Sequence, residues 1–475
     1  MLQNQTGEAL SASKGEIPQC HIHDKTSVAE AIDIRNNVCT NDLALIAHTD
    51  GKYYCLFHLP TKNKDVATFE RVFRDRLNLI DIGVANTRAL SREERQDPQQ
   101  KLFYDFRYVW FPSEVIAVDK TFKVKTDFGR ATFLIGANFK SATFSADVSF
   151  SHAIFLDEVS FQRTLFSSNA SFRSTVFSKI TLFHLTTFSG SADFTGSEFS
   201  EISLTFFANT KFVAQAKFKY AQFAGHVIFQ GDADKKVFIN PEGIDLQYTR
   251  LERPERIYFN SIYLCPSWFV NADSRKIIFT DVTWNNLDPK IRYKNIKDEL
   301  KKLEKLKISR PNRLLEIVSR QLAVNADENN RYEEASKFRL MANDTKRLEK
   351  FRGFTPWTLH WWYWLSSSYG ESWRRALTVL AGVLLTFAIG YTQATFYVCP
   401  PDIPLSQSSS AGSCETRRLD FSEGLRHSLA TALFQNVEYR KPVTQRSELF
   451  VLLEKIFGPL QAALLALAIR RKFMR

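Results

Sequence analysis

Glycine is scarce in this chain, with 18 in 475 residues. That argues against loop-built phosphate sites, where glycine lets the backbone close on a ligand. The first twenty residues, MLQNQTGEALSASKGEIPQC, hold no apolar run, so no cleavable signal peptide is expected. Nucleophile elbows, phosphate loops and H-E-x-x-H motifs are all missing. His152, His184 and His226 stand singly and read as surface residues rather than catalysts. No enzyme is expected. An excess of acid is missing too: the formal charge is +12 and the pI about 9.3. Cysteine is sparse and uneven, at Cys20, Cys39 and Cys55, then Cys265, then Cys399 and Cys414.

What the chain has in plenty is phenylalanine, 41 residues of it. From Phe128 the rings recur at 133, 139, 144, 150, 155, 161, 166, 172, 177, 183, 188, 194 and 199, in steps alternating five and six. After a slip of two they resume at Phe207, Phe212, Phe218, Phe223 and Phe229. Two residues before each ring usually stands a small or β-branched side chain, Ala131, Ala137, Ala142, Val148 and Ala153 among them. These steps match neither the helical spacing of three and four nor the strand period of two. They fit a coil with four short sides, closed every 22 residues. Phe128, Phe150, Phe172 and Phe194 then lie above one another, as do Phe133, Phe155, Phe177 and Phe199. Successive coils should rise by about 4.8 Å, the spacing of neighbouring strands. No coil buries its own face, so stability comes from its neighbours.

The A-x-F motif in alternating steps of five and six resembles the pentapeptide-repeat proteins, in their Phe-centred variant. The resemblance covers about a hundred residues and implies a right-handed quadrilateral β-helix. Members that imitate DNA are acidic, whereas here Arg130, Lys140, Arg163, Arg173, Lys179, Lys211, Lys217 and Lys219 outnumber the acids of the repeat. DNA mimicry is not expected. Less regular coils are expected to follow through Phe259, Phe269 and Ile277–Trp284.

Before the repeat, Cys55 and His58 are separated by a two-residue spacer, which lets both side chains meet one ion. With Cys20 and Cys39 they supply three thiolates and an imidazole, the donors of a tetrahedral structural zinc site. His21 and His23 are substitutes for Cys20 or His58, and buried thiols packed as small hydrophobes are the alternative. A helix is expected around Asp65 to Arg76, then a charged linker at 91–95. The aromatic run from Phe103 to Phe111 is expected to begin the solenoid cap. Beyond the repeat, residues 290–352 carry 18 Lys and Arg against 10 Asp and Glu, +8 of the chain's +12. Three helices are expected there. Their charge suits anionic lipid beside a membrane anchor. Nucleic acid is the rival reading, but none of its recognition motifs is present; a solvated helix face is the plain one.

Trp357, Trp361, Trp362, Tyr363 and Trp364 crowd a stretch that reads as a helix at the membrane–water boundary. Ala376 to Val398 then runs 23 residues without a charge, long enough to span. A second apolar stretch, Leu449 to Ile469, contains Glu454 and Lys455 and ends on Arg470-Arg471-Lys472. Basic clusters at the outer ends of both stretches put both termini in the cytoplasm, although the loop between them is basic as well. Cys399 and Cys414 fall in that loop, on the oxidising side, close enough in sequence to bridge. Glu454 either pairs with Lys455 or lies at the interface.

Between the spans, Phe421 to Phe434 has a helical apolar face. Two spans around such a helix resemble the plan of a two-helix cation channel. The second span resembles the inner helix of those channels, with Gly458-Pro459 as a hinge that weakens the backbone bonding. The resemblance implies a homo-oligomer of four subunits. A potassium filter needs a Thr-x-Gly-Tyr-Gly run, and the corresponding place reads Ala432-Leu433-Phe434-Gln435-Asn436-Val437-Glu438-Tyr439. Potassium selectivity is therefore not expected; Gln435, Asn436 or Glu438 are the candidates for a side-chain ring. The multidomain order is an N-terminal segment at 1–115, a β-helix at 116–288, a basic helical linker at 289–353, an interfacial helix at 354–375 and a two-span module at 376–475. It reads as an ion-channel-like protein of a bacterial inner membrane, in contact with lipid, whose solenoid senses a protein or small-molecule trigger. A non-conducting membrane-anchored scaffold and a membrane-depolarising effector stand as the alternatives.

Overall fold

The phenylalanine period is converted into structure by hydrogen bonds that step one coil at a time. A computed structural model describes residues 46–49, 52–61, 64–88, 103–232, 236–285, 287–288, 291–351, 358–398, 415–433, 435 and 440–473. The chain divides into two units, Met1–Asn325 and Ala326–Arg475.

In the first unit, four parallel sheets of five, seven, seven and eight strands run through a β-solenoid. Most strands are two residues long, and pairing in the regular part links residues 22 apart, as in Phe122↔Phe144↔Phe166. Pairing starts at Tyr104–Asp105 and Trp110–Phe111, within the aromatic run. Phe128, Phe150, Phe172, Phe194 and Phe218 form one column, with centroids 4.9, 5.1, 4.7 and 4.7 Å apart and rings within 5° of parallel. Rings of adjacent columns meet edge to face, as Phe150 does with Phe161 at 5.4 Å. Both geometries suit the aromatic quadrupole. The two-residue slip after Phe199 is absorbed in a five-residue strand, Leu204–Ala208, and Phe207 still stacks on Phe183 at 4.8 Å.

The five-residue steps turn in a way their residues do not announce. Ala131 N donates to Phe128 O at 3.0 Å, and Arg130 between them has φ +57°. A positive φ at the third residue alone makes this a type II turn. It recurs every eleven residues at Ser141, His152, Arg163, Ser174, Leu185 and Gly196. Only one of these is glycine, although side chains other than glycine pay about 1–2 kcal/mol in this region. The buried residue after the corner does a second job. Thr164 and Thr175 donate their hydroxyls to Phe139 O and Phe150 O of the preceding coil, both at 2.7 Å.

Both solenoid ends are covered by aromatic side chains of other elements. Helix α1, Val66–Arg88, is longer than its expected end at Arg76. It places Phe69 and Phe73 5.8 and 5.4 Å from Phe111, and its Asp81 accepts from Tyr104 and Lys120. At the far end Phe269 packs on Phe259, Phe279 and Trp284. Helix α2, Arg292–Lys305, closes it: buried Glu299 accepts from Ser267 N and from Lys302, each at 2.8 Å. Helix α3, Pro311–Glu328, follows, and Asn325 donates to the carbonyls of Ser274, Arg275 and Ile277.

The second unit is helical: α4 Tyr332–Phe351, α5 Leu359–Ser367, α6 Trp373–Gln393, α7 Phe421–Ala432 and α8 Gln445–Phe473. The charge-free run expected over Ala376–Val398 is helix only to Gln393. Its end, Thr395–Val398, is a strand because it pairs antiparallel with Glu415–Arg418 on one side and Arg440–Pro442 on the other.

Two substitutions separate the core from the corners. Phe150→Ala removes a ring between two stacked neighbours and should cost about 3–5 kcal/mol in denaturant unfolding. Leu185→Gly relieves a left-handed leucine and should raise the melting temperature, by an amount near 1 kcal/mol. A lowered melting temperature for the glycine variant would contradict the turn assignment.

Candidate functional site

Helices α6 and α8 each hold a stretch of mean hydropathy 1.6, over Trp373–Gln393 and Ser447–Arg471. Two helices are thus long and apolar enough to cross a membrane. Only 17% of each stretch is buried, whereas the core helix of a soluble domain is mostly buried. Leu377, Leu385 and Ile389 on α6, and Leu452, Ile456 and Leu460 on α8, face outward. The buried positions of α8 include Ser447, Glu454 and Gln461. Apolar outside and polar inside is the pattern that a lipid solvent demands.

Small residues let α7 sit against both apolar helices. A Cβ on Gly424 would lie 2.8 Å from Ala388 O of α6, and one on Gly458 of α8 would lie 3.0 Å from Ala432. At this crossing the Glu454 carboxylate accepts from Tyr391 OH of α6 and from Ser428 Oγ of α7. Lys455 is exposed, and Glu454 bonds to these hydroxyls rather than pairing with it. Successive helical residues point about 100° apart, which carries the ammonium away. His427 is buried beside this crossing, its ring 4.9 Å from Tyr391 and 5.3 Å from Phe396. At the start of α7, Arg417 grips Glu423 through two bonds of 2.7 Å, and Glu423 accepts from Asp420 N. Those bonds hold the Glu423 carboxyl down at about 2.

At the other end of the module a charge network joins three segments. Glu371, in the α5–α6 turn, accepts from Arg339 and Ser336 of α4 at 2.8 and 2.6 Å, and from Arg471 of α8 at 3.3 Å. Arg339 also bonds Asp327 at 2.5 Å. Gln461 of α8 donates to Ser366 O and Ala376 O at 3.0 and 2.9 Å. The guanidiniums of Arg347 and Arg375 lie 4.5 and 4.7 Å from the Trp364 ring.

Of the residues singled out in the sequence, Gln435 is exposed just past α7, and its backbone N–H donates to Ala430 O. Asn436 and Glu438, and the loop cysteines Cys399 and Cys414, lie outside the described residues. Pro459 lies inside the continuous helix α8. Cys55 and His58 are brought together, with Sγ and Nδ1 3.2 Å apart; Cys20 and Cys39 lie outside the described residues. Among the described residues no group of three metal-type ligands forms. Tyr391, Ser428 and Glu371 were not anticipated, since each gains its role from a partner distant in sequence.

The family model described as Pentapeptide repeats (9 copies) matches residues 128–176, inside the solenoid. No curated protein matches the chain.

The Glu423 clasp has a pH signature. Its carboxyl titrates lower folded, at about 2, than at its ordinary 4.5. Its stabilisation is present above pH 4.5 and is lost as pH falls towards 2. Unfolding of the detergent-solubilised chain should therefore show a midpoint that drops across that window. Arg417→Gln should flatten the slope; an unchanged slope would remove Arg417 as the cause.

Proposed function

We infer that the chain is an ion-channel-like membrane protein whose pentapeptide-repeat solenoid acts as a cytoplasmic sensor. The observation that carries this reading is the seat of α7 between the two apolar helices, held from inside by Glu454. A membrane anchor alone needs no polar interior, because lipid covers an apolar helix on every side. A short helix bonded between two spans instead supports the plan of a pore module. In this reading both termini face the cytoplasm and four copies enclose the path, since two spans per chain are too few to line one. The four sheets support the right-handed quadrilateral β-helix that the repeat implies. Gln435, Asn436 and Glu438 follow α7, where a filter would lie, and no carbonyl-lined potassium filter is part of the proposal.

The Asp327–Arg339–Glu371–Arg471 network supplies the transmission. A trigger on the solenoid would act through the basic helices, and α4 reaches the end of α8 through Glu371. A non-conducting scaffold is the second reading, favoured by the departure from the filter sequence. A membrane-depolarising effector would use the same pore with a lethal trigger. None of these readings assigns the chain a catalytic step.

Purified full-length protein, reconstituted in planar bilayers, should pass current. Replacing residues 434–439 with a glycine–serine linker should abolish it. Glu371→Gln should change the open fraction while leaving the single-channel current unaltered. Reconstituted protein that stays silent under every condition tried, or that runs as a monomer in detergent, would defeat the pore in favour of the scaffold.

A further inference from the structure

One column of left-handed corners changes character along the solenoid. The backbone N–H groups of Ser174, Gly196, Tyr220 and Tyr248 each donate one coil onward, to Thr195 O, Lys219 O, Gln247 O and Asn271 O. These four corners therefore stand one above another, all with φ between +51° and +68°. Tyr220 and Tyr248 are 57% and 51% exposed, and their rings stack at 5.3 Å, 12° from parallel. Tyr248 thus covers one face of Tyr220. On the other side the next corner is Gly196, which has no ring to lay on the second face. Leaving out its chain neighbours, a Cβ on Gly196 would meet only Ser174 Oγ, at 3.4 Å, so the space outside this corner is open. Neighbouring coils lie about 4.8 Å apart. A planar ring seated at the level of Gly196 would continue the tyrosine stack.

A cation marks the rim of that stack. Lys219 Nζ lies 5.1 Å from the centre of the Tyr220 ring and 5.6 Å from that of Tyr248. On the open face of Tyr220 it would be far more distant from Tyr248 than from Tyr220. The near-equal distances place it beside the pair instead, so the open face stays clear. Arg173, Thr195 and Lys219 precede the corners Ser174, Gly196 and Tyr220 in turn, which gives this flank two cations and a hydroxyl. Asp193 lies 3.6 Å from Arg173, and Glu198 is an exposed acid just past Gly196. Lys219 makes no salt bridge among the described residues. An open aromatic face with an unpaired ammonium at its rim is complementary to a flat ring that carries negative charge on a side arm. The ring stacks and the arm reaches past the rim. Tyrosine accepts any nucleobase in this way, because every base has a π face.

We propose that Tyr220 and the open level at Gly196 form a shelf for the base of a nucleotide, with Lys219 meeting its phosphate. A lysine at the rim of a stack needs no glycine-rich loop, in keeping with the scarcity of glycine. The shelf names the chemistry of the trigger and rests on the sensor reading for that consequence alone; binding itself needs no pore.

The test uses the full chain in detergent and four probes, AMP, GMP, CMP and UMP. Saturation-transfer NMR should show saturable transfer to the nucleotides, strongest at the base protons. Tyr220→Ala should weaken binding about tenfold, in line with the loss of one stacked base. Tyr220→Phe should keep it. Gly196→Tyr would carry the tyrosine ladder across the open face and should abolish binding; Tyr220, at φ +59°, shows that such a corner holds a tyrosine. Lys219→Gln should weaken AMP a few-fold and leave adenosine unchanged. His152→Ala, two coils from Gly196 in the same column, should change nothing. Where Tyr220→Ala lowers the melting temperature, Gly196→Tyr, which removes no side chain, gives the answer. Absence of saturable transfer to all four nucleotides, or transfer that survives both Tyr220→Ala and Gly196→Tyr, would overturn the shelf. Oligoadenylate bound more than about tenfold tighter than AMP would replace the nucleotide by a single strand. Nucleotide binding in a chain that passes no current would defeat the pore and leave the shelf; current in a chain that binds no nucleotide would do the reverse.

Discussion

Each coil of the solenoid is held by the coil before it and the coil after it, and by little else. A strand of two residues has no independent stability. Its backbone groups are satisfied only because an identical pair lies one coil away, as when Phe150 N donates to Ser171 O at 2.7 Å. The same repeat that lines up those amides lines up the rings. Backbone pairing and aromatic stacking therefore succeed or fail together, and the order spreads along the axis one coil at a time. The cost appears at the two ends, where a stack of phenylalanines would face water. Helix α1 covers one end with Phe69 and Phe73, and the 3₁₀ turn of Pro266–Phe269 with Trp284 covers the other.

The second unit carries its apolar side chains differently. In the solenoid, leucines and isoleucines that point outward are scattered among lysines and serines. On α6 and α8 they are the rule, while Tyr391, Glu454 and Gln461 turn inward. Ser428 shows the economy of this arrangement, since its hydroxyl meets both Glu454 and Leu384 O. Gly424 and Gly458 serve it by allowing a helix to approach closely enough for such bonds. Larger side chains there would separate α7 from its neighbours and leave Glu454 without the Ser428 hydroxyl.

How much of this was readable follows from how local each signal is. The ring columns were legible because a period of five and six has no competing interpretation. The two apolar helices were legible by length and composition. The left-handed corners were not, because Arg130, His152 and Leu185 occupy a conformation that sequence reading reserves for glycine. The solenoid geometry imposes it from outside. For Glu454 adjacency points to Lys455 as a partner, and adjacency misleads on a helix. The true partners, Tyr391 and Ser428, lie 63 and 26 residues away. The strand at Thr395–Val398 was hidden for the same reason, since both its partners come from beyond the intervening loop.

Distance in sequence also explains why Glu371 matters. It sits in a turn, yet it receives a guanidinium from α4 and another from α8. Its side chain is only 5% exposed, so water screens these pairs far less than it would at a free surface. Taking both arginines away would leave a buried carboxylate without a cation, a state that costs far more than the pairs themselves gain. Arg471 also stands in the last turn of α8, where a positive charge suits the helix dipole. A shift of α4 large enough to carry Arg339 off Glu371 would thus change the charge balance felt by the end of α8. Helix α6 begins two residues beyond Glu371, at Trp373, so the same carboxylate stands at the start of one apolar helix and the end of the other.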